Sequence, residues 1–522
     1  MLKLLLGRSG TGKTEELLKT IAREAGLRPQ ILVVPEQHSH DMERTLCRLG
    51  GNAVSLGAEV LSFTRLASRV FSVYGGLAAP ALDGGGRLLL LYVALGSVAG
   101  QLKVYQRPSR KPAFLSGLLA TVDELKTCRI TPEQLWTAGT ETGGEEGDKL
   151  ADLSLIYGAY EAMTARQGAD PRDKLTRLAE VLRREDWARG KDFYLDGFTD
   201  LTPQERQVVD VLLGKCSSLT VALTCDKLEE DQGGAGIFSP ARRTARQLLR
   251  LAKDGGVPAQ VAVREETQGV RTPPLAHLER ELFSPQPRPF LEDVEGLGLF
   301  TACSPYSEVE WAAAESLRLV REEGYRFRDI AVCARSMEGY GSLIETVFAR
   351  YGVPVFLSRM SDILEKPILA LITAALDTAA GGYRYDDVFR YLKTGLTDLS
   401  QEDVDLLENY ALTWNLEGSV WTGSKPWTNH PKGYGRAFTP EDKALVERLE
   451  GLRRQVAGPL ETLWKNPDKT GAGQAKALYK LLEDIGVPQR LAERAQALRA
   501  DSQEALAEEY AQLWDILCGG LE

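Results

Sequence analysis

The chain has few cysteines, few histidines and no long apolar run. Seven cysteines and four histidines are spread over 522 residues, and no two cysteines form a C-x-x-C pair. This odd, scattered set argues against a disulfide framework and against a zinc site. Residues 87–95 form the most apolar stretch, which is far shorter than the roughly 20 residues that span a bilayer. We therefore predict a cytoplasmic protein with no membrane segment.

Positive charge is also in short supply. The chain carries 63 lysines and arginines against 73 acidic residues, a formal net charge of -10. Because non-specific DNA affinity comes mainly from neutralised phosphates, this balance excludes a general basic DNA coat. Any DNA binding must use local basic patches or the help of a partner.

Alternating apolar and amphipathic segments predict a parallel α/β sheet interrupted by helices. The first strands are predicted at residues 2–6, 30–34, 193–196 and 219–223, and the helices between them at 13–25, 37–49 and 203–213. From about residue 81 to residue 187 the pattern is helical only. The sheet is therefore expected to be interrupted by a helical insertion and then resumed.

A second αβ unit is predicted after a domain boundary. The boundary is indicated by a loop at residues 231–234 and a proline-rich segment at 284–290. Beyond it, strands are predicted at residues 297–302 and 329–334, and helices at 308–323 and 340–351. Mostly helical sequence follows from about residue 367.

One motif carries recognisable chemistry. Residues 7–14 read GRSGTGKT and fit the phosphate-binding pattern G-x-x-x-x-G-K-[ST]. Its glycines let backbone N–H groups face phosphate oxygens, its lysine adds a positive charge, and its last hydroxyl can bind Mg²⁺. The predicted nucleotide-binding residues are Gly7, Ser9, Gly10, Thr11, Gly12, Lys13 and Thr14.

A P-loop also needs an acidic group at the end of another strand to hold the metal's water shell. Asp196 ends an apolar run and is the predicted second Mg²⁺ residue beside Thr14, although Asp-Gly is also a common turn dipeptide. The next residue is Gly197, at the position where an active helicase carries its catalytic glutamate. Asp200 is the only nearby acidic substitute.

These segments, in this order, resemble the AddB/RexB subunits of bacterial recombination nucleases, which are relatives of superfamily 1 helicases. The P-loop is generic, but the blocks V-P-E-Q, L-S-F-T-R-L-A and Y-L-D-G-F-T-D-L-T-P-Q-E are together specific to that family. The matching segments are residues 7–14, 32–46, 58–71, 193–212, 300–313 and 329–359. They span most of the chain.

The resemblance implies an α/β fold of two P-loop (RecA-like) superfamily 1 helicase lobes with helical insertions. The first motor-like lobe would comprise residues 1–76 and 190–285, around a helical insertion at 77–189. The second motor-like lobe would comprise residues 291–380, followed by a mostly helical insertion at 381–522.

The resemblance also implies ATP and Mg²⁺ as cofactors, an AddA-type helicase-nuclease partner subunit, and single- and double-stranded DNA as ligands. Such a protein takes part in processing double-strand DNA ends for recombinational repair and scans single-stranded DNA for a hotspot sequence. Family members usually end in a nuclease domain with an iron-sulfur cluster. No cluster-like cysteine spacing occurs in these 522 residues, so the cluster is expected only in a further C-terminal part.

Departures from an active helicase indicate a motor without turnover. Besides Gly197, the segment at residues 219–228 resembles the next motor motif but lacks the glutamine that senses the γ phosphate. No asparagine-tyrosine-arginine-serine block lies near residues 250–290. We therefore expect nucleotide binding without hydrolysis.

The candidates for DNA contact are weaker motifs. Residues 62–65 match a segment that touches single-stranded DNA in related motors, but an ordinary βα junction with Phe63 in the core fits equally well. A row of arginines at helical spacing is interpreted as solvated surface, and a group of tryptophans as core filling. The residues concerned are Ser62, Phe63, Thr64 and Arg65; Arg242, Arg243, Arg246 and Arg250; and Trp414, Trp421 and Trp427.

Three other interpretations stay open. An autonomous ATP-driven DNA helicase would need a carboxylate close to Asp196, which only Asp200 is near enough in sequence to supply. A P-loop small-molecule kinase fits a motif so near the amino terminus, but it needs about one domain and not four. A pure scaffold would carry the P-loop as an unused relic.

Overall fold

A computed structural model describes residues 1–76, 81–106, 111–229, 236–265, 272–284, 286–357 and 366–521. The chain divides into two compact units, Met1–Leu299 and Phe300–Glu522. The predicted boundary loop at residues 231–234 lies outside the described residues. Within the described ranges, no helix is both long enough and apolar enough to cross a membrane.

Six parallel strands form the sheet of the first unit, in the order β3-β2-β4-β5-β1-β6. They are β1 (Leu2–Gly7), β2 (Gln30–Val33), β3 (Ala58–Leu61), β4 (Asp192–Leu195), β5 (Ser218–Thr224) and β6 (Ala259–Arg264). The four strands predicted for this unit are confirmed. The strands β3 and β6 were not predicted, although Ala259, Val261 and Val263 of the exposed edge strand β6 alternate with Gln260 and Arg264.

Helices cover both faces of this sheet. Those beside it are α1 (Lys13–Glu24), α2 (Ser39–Gly50), α3 (Phe63–Tyr74), α8 (Lys174–Arg184), α9 (Pro203–Lys215) and α10 (Ser239–Asp254), and α11 (Pro273–Glu281) follows β6. Side chains of β1 alternate between the two faces. Leu4 and Leu6 pack in a cluster with Leu66 of α3, whereas Leu5 packs with Leu17 of α1. Both faces are thus buried, as in other parallel sheets.

The helical insertion has its own apolar core and a buried charged attachment to the part of the first unit that holds the sheet. It comprises α4 (Gly84–Val98), α5 (Pro112–Cys128), α6 (Pro132–Thr142) and α7 (Gly144–Gln167). Arg87 of α4 and Lys126 of α5 contact the two carboxylate oxygens of Asp170 at 3.1 and 3.3 Å. Because Asp170 lies on the segment that leads to α8, these ion pairs fix the point where the chain returns to the sheet.

Within the described residues, the regular secondary structure of the second unit is helical. Its helices are α12 (Pro305–Glu322), α13 (Gly341–Tyr351), α14 (Pro367–Gly381), α15 (Tyr385–Leu392), α16 (Gln401–Trp414), α17 (Pro440–Trp464), α18 (Gly471–Asp484), α19 (Val487–Ala500) and α20 (Glu504–Leu521). The two predicted helices, here α12 and α13, are confirmed and pack in one apolar cluster. Helices α14 to α20 share a second, larger one.

The prediction of strands at residues 297–302 and 329–334 is wrong. Neither segment pairs with a strand in the described part of the chain, and their apolar side chains are exposed, Leu299 fully and Val332 to 47%. A strand forms only where a neighbour takes up its backbone N–H and C=O groups. The α/β architecture therefore holds for the first unit, and a second sheet-containing lobe is not confirmed.

Candidate nucleotide-binding site

The P-loop lies between the end of β1 and the start of α1. Gly10 and Gly12 have positive φ angles of 80° and 76°, and Gly12 is the left-handed residue at the helix N-terminus. A side chain at such a position is strained, which explains these two glycines. The first turn of α1 then presents N–H groups that have no acceptor within the helix. Such a helix start favours an anion.

Lys13 places its ammonium group inside this loop. Its Nζ donates to the carbonyl oxygens of Gly7 at 2.6 Å and Arg8 at 2.8 Å, and its side chain is largely buried. No carboxylate of the described residues lies within ion-pair distance of Nζ. Burial lowers the pKa of Lys13, against the opposing field of Asp196. A buried cation paired only with uncharged carbonyl and hydroxyl oxygens is suited to a phosphate group.

Thr14 and Asp196 meet beside the loop. Thr14 Oγ1 donates to Asp196 Oδ2 at 2.6 Å, although the two residues are far apart in sequence. Asp196 directly follows β4, and its backbone N–H donates to Val33 O of the neighbouring strand at 3.1 Å. Burial raises the pKa of this carboxyl group, while the Thr14 hydrogen bond and the Lys13 charge oppose the shift. A hydroxyl and a carboxylate side by side fit the hard oxygen donors that Mg²⁺ prefers.

The structure thus brings all the predicted nucleotide-binding residues to one place. Ser9 and Gly10 are exposed at the outside of the loop, while Thr11 is buried and donates from Oγ1 to Arg8 O at 2.9 Å. The order of the strands explains this convergence, because the carboxyl ends of β1, β4 and β5 meet at the same edge of the sheet.

Residues 4–279, slightly more than half of the chain, match the family described as ADDB, N-terminal. The chain belongs to the AddB family. Over 99% of its length it is 33% identical to the B subunit of the ATP-dependent helicase/deoxyribonuclease of Acetivibrio thermocellus. Proteins of the same name from Desulforudis audaxviator and Thermoanaerobacter sp. are 36% and 32% identical over 98% and 100% of the chain. The chain spans 46% of the length of each of these relatives.

In this AddB-family chain, the position after Asp196 is shaped for glycine. Gly197 has a φ of 81°, and a Cβ atom added there would lie 3.1 Å from Cδ of Pro35. The backbone and the adjacent proline therefore both disfavour a side chain. Residue 197 thus lacks a carboxylate, and the local backbone would also have to change to accept one.

Asp200 is engaged by neighbouring groups. Its Oδ1 accepts from the backbone N–H of Leu201 at 2.8 Å and from Thr244 Oγ1 at 3.1 Å. Thr244 is fully buried on α10. The carboxylate therefore ties the loop before α9 to α10.

The end of β5 holds residues that the sequence analysis did not single out. Cys225 donates its backbone N–H to Gly7 O at 3.2 Å, and burial raises the pKa of its thiol. Arg242 donates to Asp226 Oδ1 at 2.7 Å and to Lys227 O at 3.1 Å. A buried thiol thus borders the P-loop in the segment that lacks the glutamine with which an active motor would sense the γ phosphate. No local pattern marks these pairings, which depend on how the strands are ordered.

The arginine row on α10 is therefore only partly solvated surface. Arg242 is buried, and Arg246 donates to Leu228 O at 2.7 Å, so both hold the chain that leaves β5. Arg243 and Arg250 are exposed, as we predicted for the whole row. Arg8 is another residue that the sequence analysis did not single out: its guanidinium lies 5.3 Å from the ring centroid of Phe238.

The candidate DNA segment has two buried and two exposed members. Ser62 accepts from the backbone N–H of Arg65 at 3.2 Å and so caps α3, and Phe63 packs against Phe198 with ring centroids 5.5 Å apart. Both side chains are buried, whereas Thr64 and Arg65 are exposed. The βα-junction interpretation thus describes Ser62 and Phe63, and Thr64 and Arg65 are available to a ligand.

Proposed function

We propose that this chain is the N-terminal part of the B subunit of an ATP-dependent helicase/exodeoxyribonuclease that processes double-strand DNA ends for recombinational repair. In this proposal it binds ATP with Mg²⁺ at the P-loop and acts as an inactivated helicase-like module. The observation that carries the proposal is the buried Lys13 ammonium, which is held only by uncharged oxygens inside a loop shaped for an anion. Membership of the AddB family and the names of its relatives support the cellular process.

The residues would divide the work of binding as follows. Backbone N–H groups of the P-loop and the Lys13 ammonium would hold the β and γ phosphates, with Lys13 exchanging its carbonyl partners for phosphate oxygens. Thr14 and Asp196 would hold Mg²⁺ and its water shell. The bound metal would neutralise charge on the phosphate oxygens. No side chain at residue 197 would orient a water molecule, so the bound nucleotide would persist.

The proposal gives the chain DNA and a partner subunit as its macromolecular ligands. Thr64 and Arg65 would contact single-stranded DNA that is scanned for a hotspot sequence, and double-stranded DNA would be the substrate of the whole enzyme. An AddA-type subunit would supply the active helicase and a nuclease. The relatives are named as one subunit of a larger enzyme, which supports such a partner.

Arg65→Ala is expected to weaken the binding of a single-stranded oligonucleotide severalfold, and by a similar factor for different sequences. One phosphate contact is lost, so the slope of log affinity against log salt should fall by about one. The measurement is fluorescence anisotropy at several salt concentrations. Arg69→Ala is the matched control, because Arg69 lies one turn further along α3 and is already paired with Glu59 at 3.0 Å. An unchanged slope for Arg65→Ala would remove this residue from the DNA contact.

A further inference from the structure

The stretch between α16 and α17 has a composition unlike that of the chain as a whole. Residues 418–439 contain three basic residues, two tryptophans, a tyrosine and a phenylalanine, and no acidic residue. The whole chain, in contrast, has a net charge of -10. DNA binding by an acidic protein requires local stretches of positive charge, and this stretch is one of them.

In the first half of this stretch, the two tryptophans are buried and the backbone is held by hydrogen bonds. Trp421 and Trp427 are buried in the core of the second unit, with ring centroids 5.1 Å apart. The buried guanidinium of Arg453 donates to the carbonyl oxygens of Trp421 at 2.7 Å and Gly423 at 3.0 Å. The interpretation of these two tryptophans as core residues is confirmed. Because they are buried, bases cannot stack on them.

The second half of the stretch contains a strongly exposed aromatic side chain. Tyr434 is 85% exposed, between two glycines, and its ring packs edge-on against Trp414 with centroids 4.3 Å apart. Trp414 in turn donates Nε1 to His430 O at 3.0 Å. The Tyr434 ring is therefore exposed to solvent and still packs against Trp414. Holding an aromatic side chain in place before binding reduces the entropy lost when a ligand stacks on it.

A basic residue lies on either side of Tyr434 in the sequence. Lys432 and Arg436 each lie two residues from Tyr434, so their Cα atoms are within about 7 Å of its Cα atom. Lys432 is steadied by Asp442 at 3.0 Å, whereas Arg436 is exposed and forms no ion pair within the described ranges. An aromatic face with a cation on either side matches a nucleotide, whose base can stack while its flanking phosphates meet the cations.

An apolar groove continues this surface. It has a volume of about 600 Å³, and Phe438, Val446, Lys443 and Arg454 are among its lining residues. Phe438 is 42% exposed and packs against His430, with ring centroids 4.8 Å apart. Two glutamates also line the groove: Glu447, and Glu450, whose carboxylate is paired with Arg453 and Arg454. The groove thus offers a second aromatic face beside the Tyr434 loop, together with the Lys443 ammonium.

We infer that residues 432–436 and this groove form a contact site for single-stranded DNA in the second unit, with Tyr434 stacking on a base. A single strand fits better than a duplex, because paired bases do not expose their faces for stacking. The absence of acidic residues from 418–439 favours a polyanion over a protein as the ligand. The inference adds a site to the DNA-binding part of the proposed function and rests on that function.

Tyr434→Ala is expected to weaken the binding of fluorescein-labelled oligodeoxythymidylate at least fivefold, which is the lower end for losing one stacked base. Tyr434→Phe keeps the ring and should bind within twofold of the unsubstituted chain. Tyr325→Ala is the matched control, because Tyr325 is 49% exposed in the same unit and has Glu322, Glu323 and Asp329 close to it in the sequence. With 5-iododeoxyuridine in the oligonucleotide, photocrosslinking followed by mass spectrometry should yield an adduct on Tyr434.

Several results would overturn the inference. Equal affinity of Tyr434→Ala and the unsubstituted chain, with adducts only elsewhere, would remove the site; if Arg65→Ala is still weakened, the proposed α3 contact survives. A Tyr434→Phe affinity as low as that of Tyr434→Ala would exclude stacking. Unchanged DNA affinity with weaker binding of the partner subunit would assign the surface to protein. Absence of any single-strand binding would overturn both DNA contacts, while ATP titration would still test the P-loop separately.

Discussion

Replacing Lys13 with alanine is expected to weaken the binding of ATP and Mg²⁺ by about ten- to a hundredfold. Hydrogen bonds to a charged group contribute roughly 1.5 to 3 kcal/mol, and tenfold corresponds to about 1.4 kcal/mol. The effect should lie well inside this range because the ammonium is already desolvated in the free protein, where burial lowers its pKa. Phosphate therefore gains a cation that has lost most of its water.

Isothermal titration with ATP, with and without Mg²⁺, measures this effect. Lys19→Ala is the control on the same helix, because Lys19 is exposed and its partner Glu15 is also on the surface. Thermal unfolding of both variants separates a lost ligand contact from a lost fold, since Gly7 O and Arg8 O lose a donor in Lys13→Ala. Equal nucleotide affinity of Lys13→Ala and the unsubstituted chain would exclude Lys13 from the site and favour the scaffold interpretation.

The P-loop could be predicted from the sequence because its turn and its chemistry are encoded in the same eight residues. The position of Asp196 beside Thr14 could be predicted because Asp196 directly follows a buried strand, and β4 ends at Leu195. What could not be predicted depends on contacts between distant segments. The Cys225 and Gly7 backbone contact follows from the pairing of β5 with β1, which leaves no local mark on either strand.

The two wrongly predicted strands show that a local sequence pattern can also suggest an element that does not form. Residues 297–302 and 329–334 have the apolar character of strands, but that character reports only a tendency to be buried in a sheet. Whether a strand forms is decided by a neighbouring strand, and no described residue supplies one for these segments. The edge strand β6 is the converse case, since it was not predicted from its short alternating pattern but has a neighbour in β1.

Little or no DNA-stimulated ATP hydrolysis is expected from this chain, although it should bind nucleotide. Hydrolysis needs a group that holds and activates the water in line with the γ phosphate, and such a group typically contributes about 10² to 10⁴ in rate. Gly197 offers no side chain. The Asp200 carboxylate already accepts from Leu201 and Thr244, so moving it to the site would break both hydrogen bonds.

Gly197→Glu is not expected to restore turnover. A residue with a side chain at a φ of 81° costs about 1 to 2 kcal/mol, and the new Cβ would lie 3.1 Å from Pro35. The glutamate would therefore shift the backbone next to Asp196 and would not be held where a catalytic carboxylate must act. This separates the chain from an active motor that has lost one functional group and could regain it by a single substitution.

Phosphate release with excess single-stranded DNA tests both expectations, using the unsubstituted chain, Gly197→Glu and Asp200→Ala. The rate of Lys13→Ala serves as the background, because any contaminating ATPase would be unaffected by that substitution. All three rates should be close to this background. Turnover of several ATP molecules per second that disappears in Asp200→Ala would show that the motor is active and that Asp200 leaves Thr244 in the nucleotide complex. A Gly197→Glu rate far above that of the unsubstituted chain would show that only the carboxylate was missing, and the backbone argument would then fail.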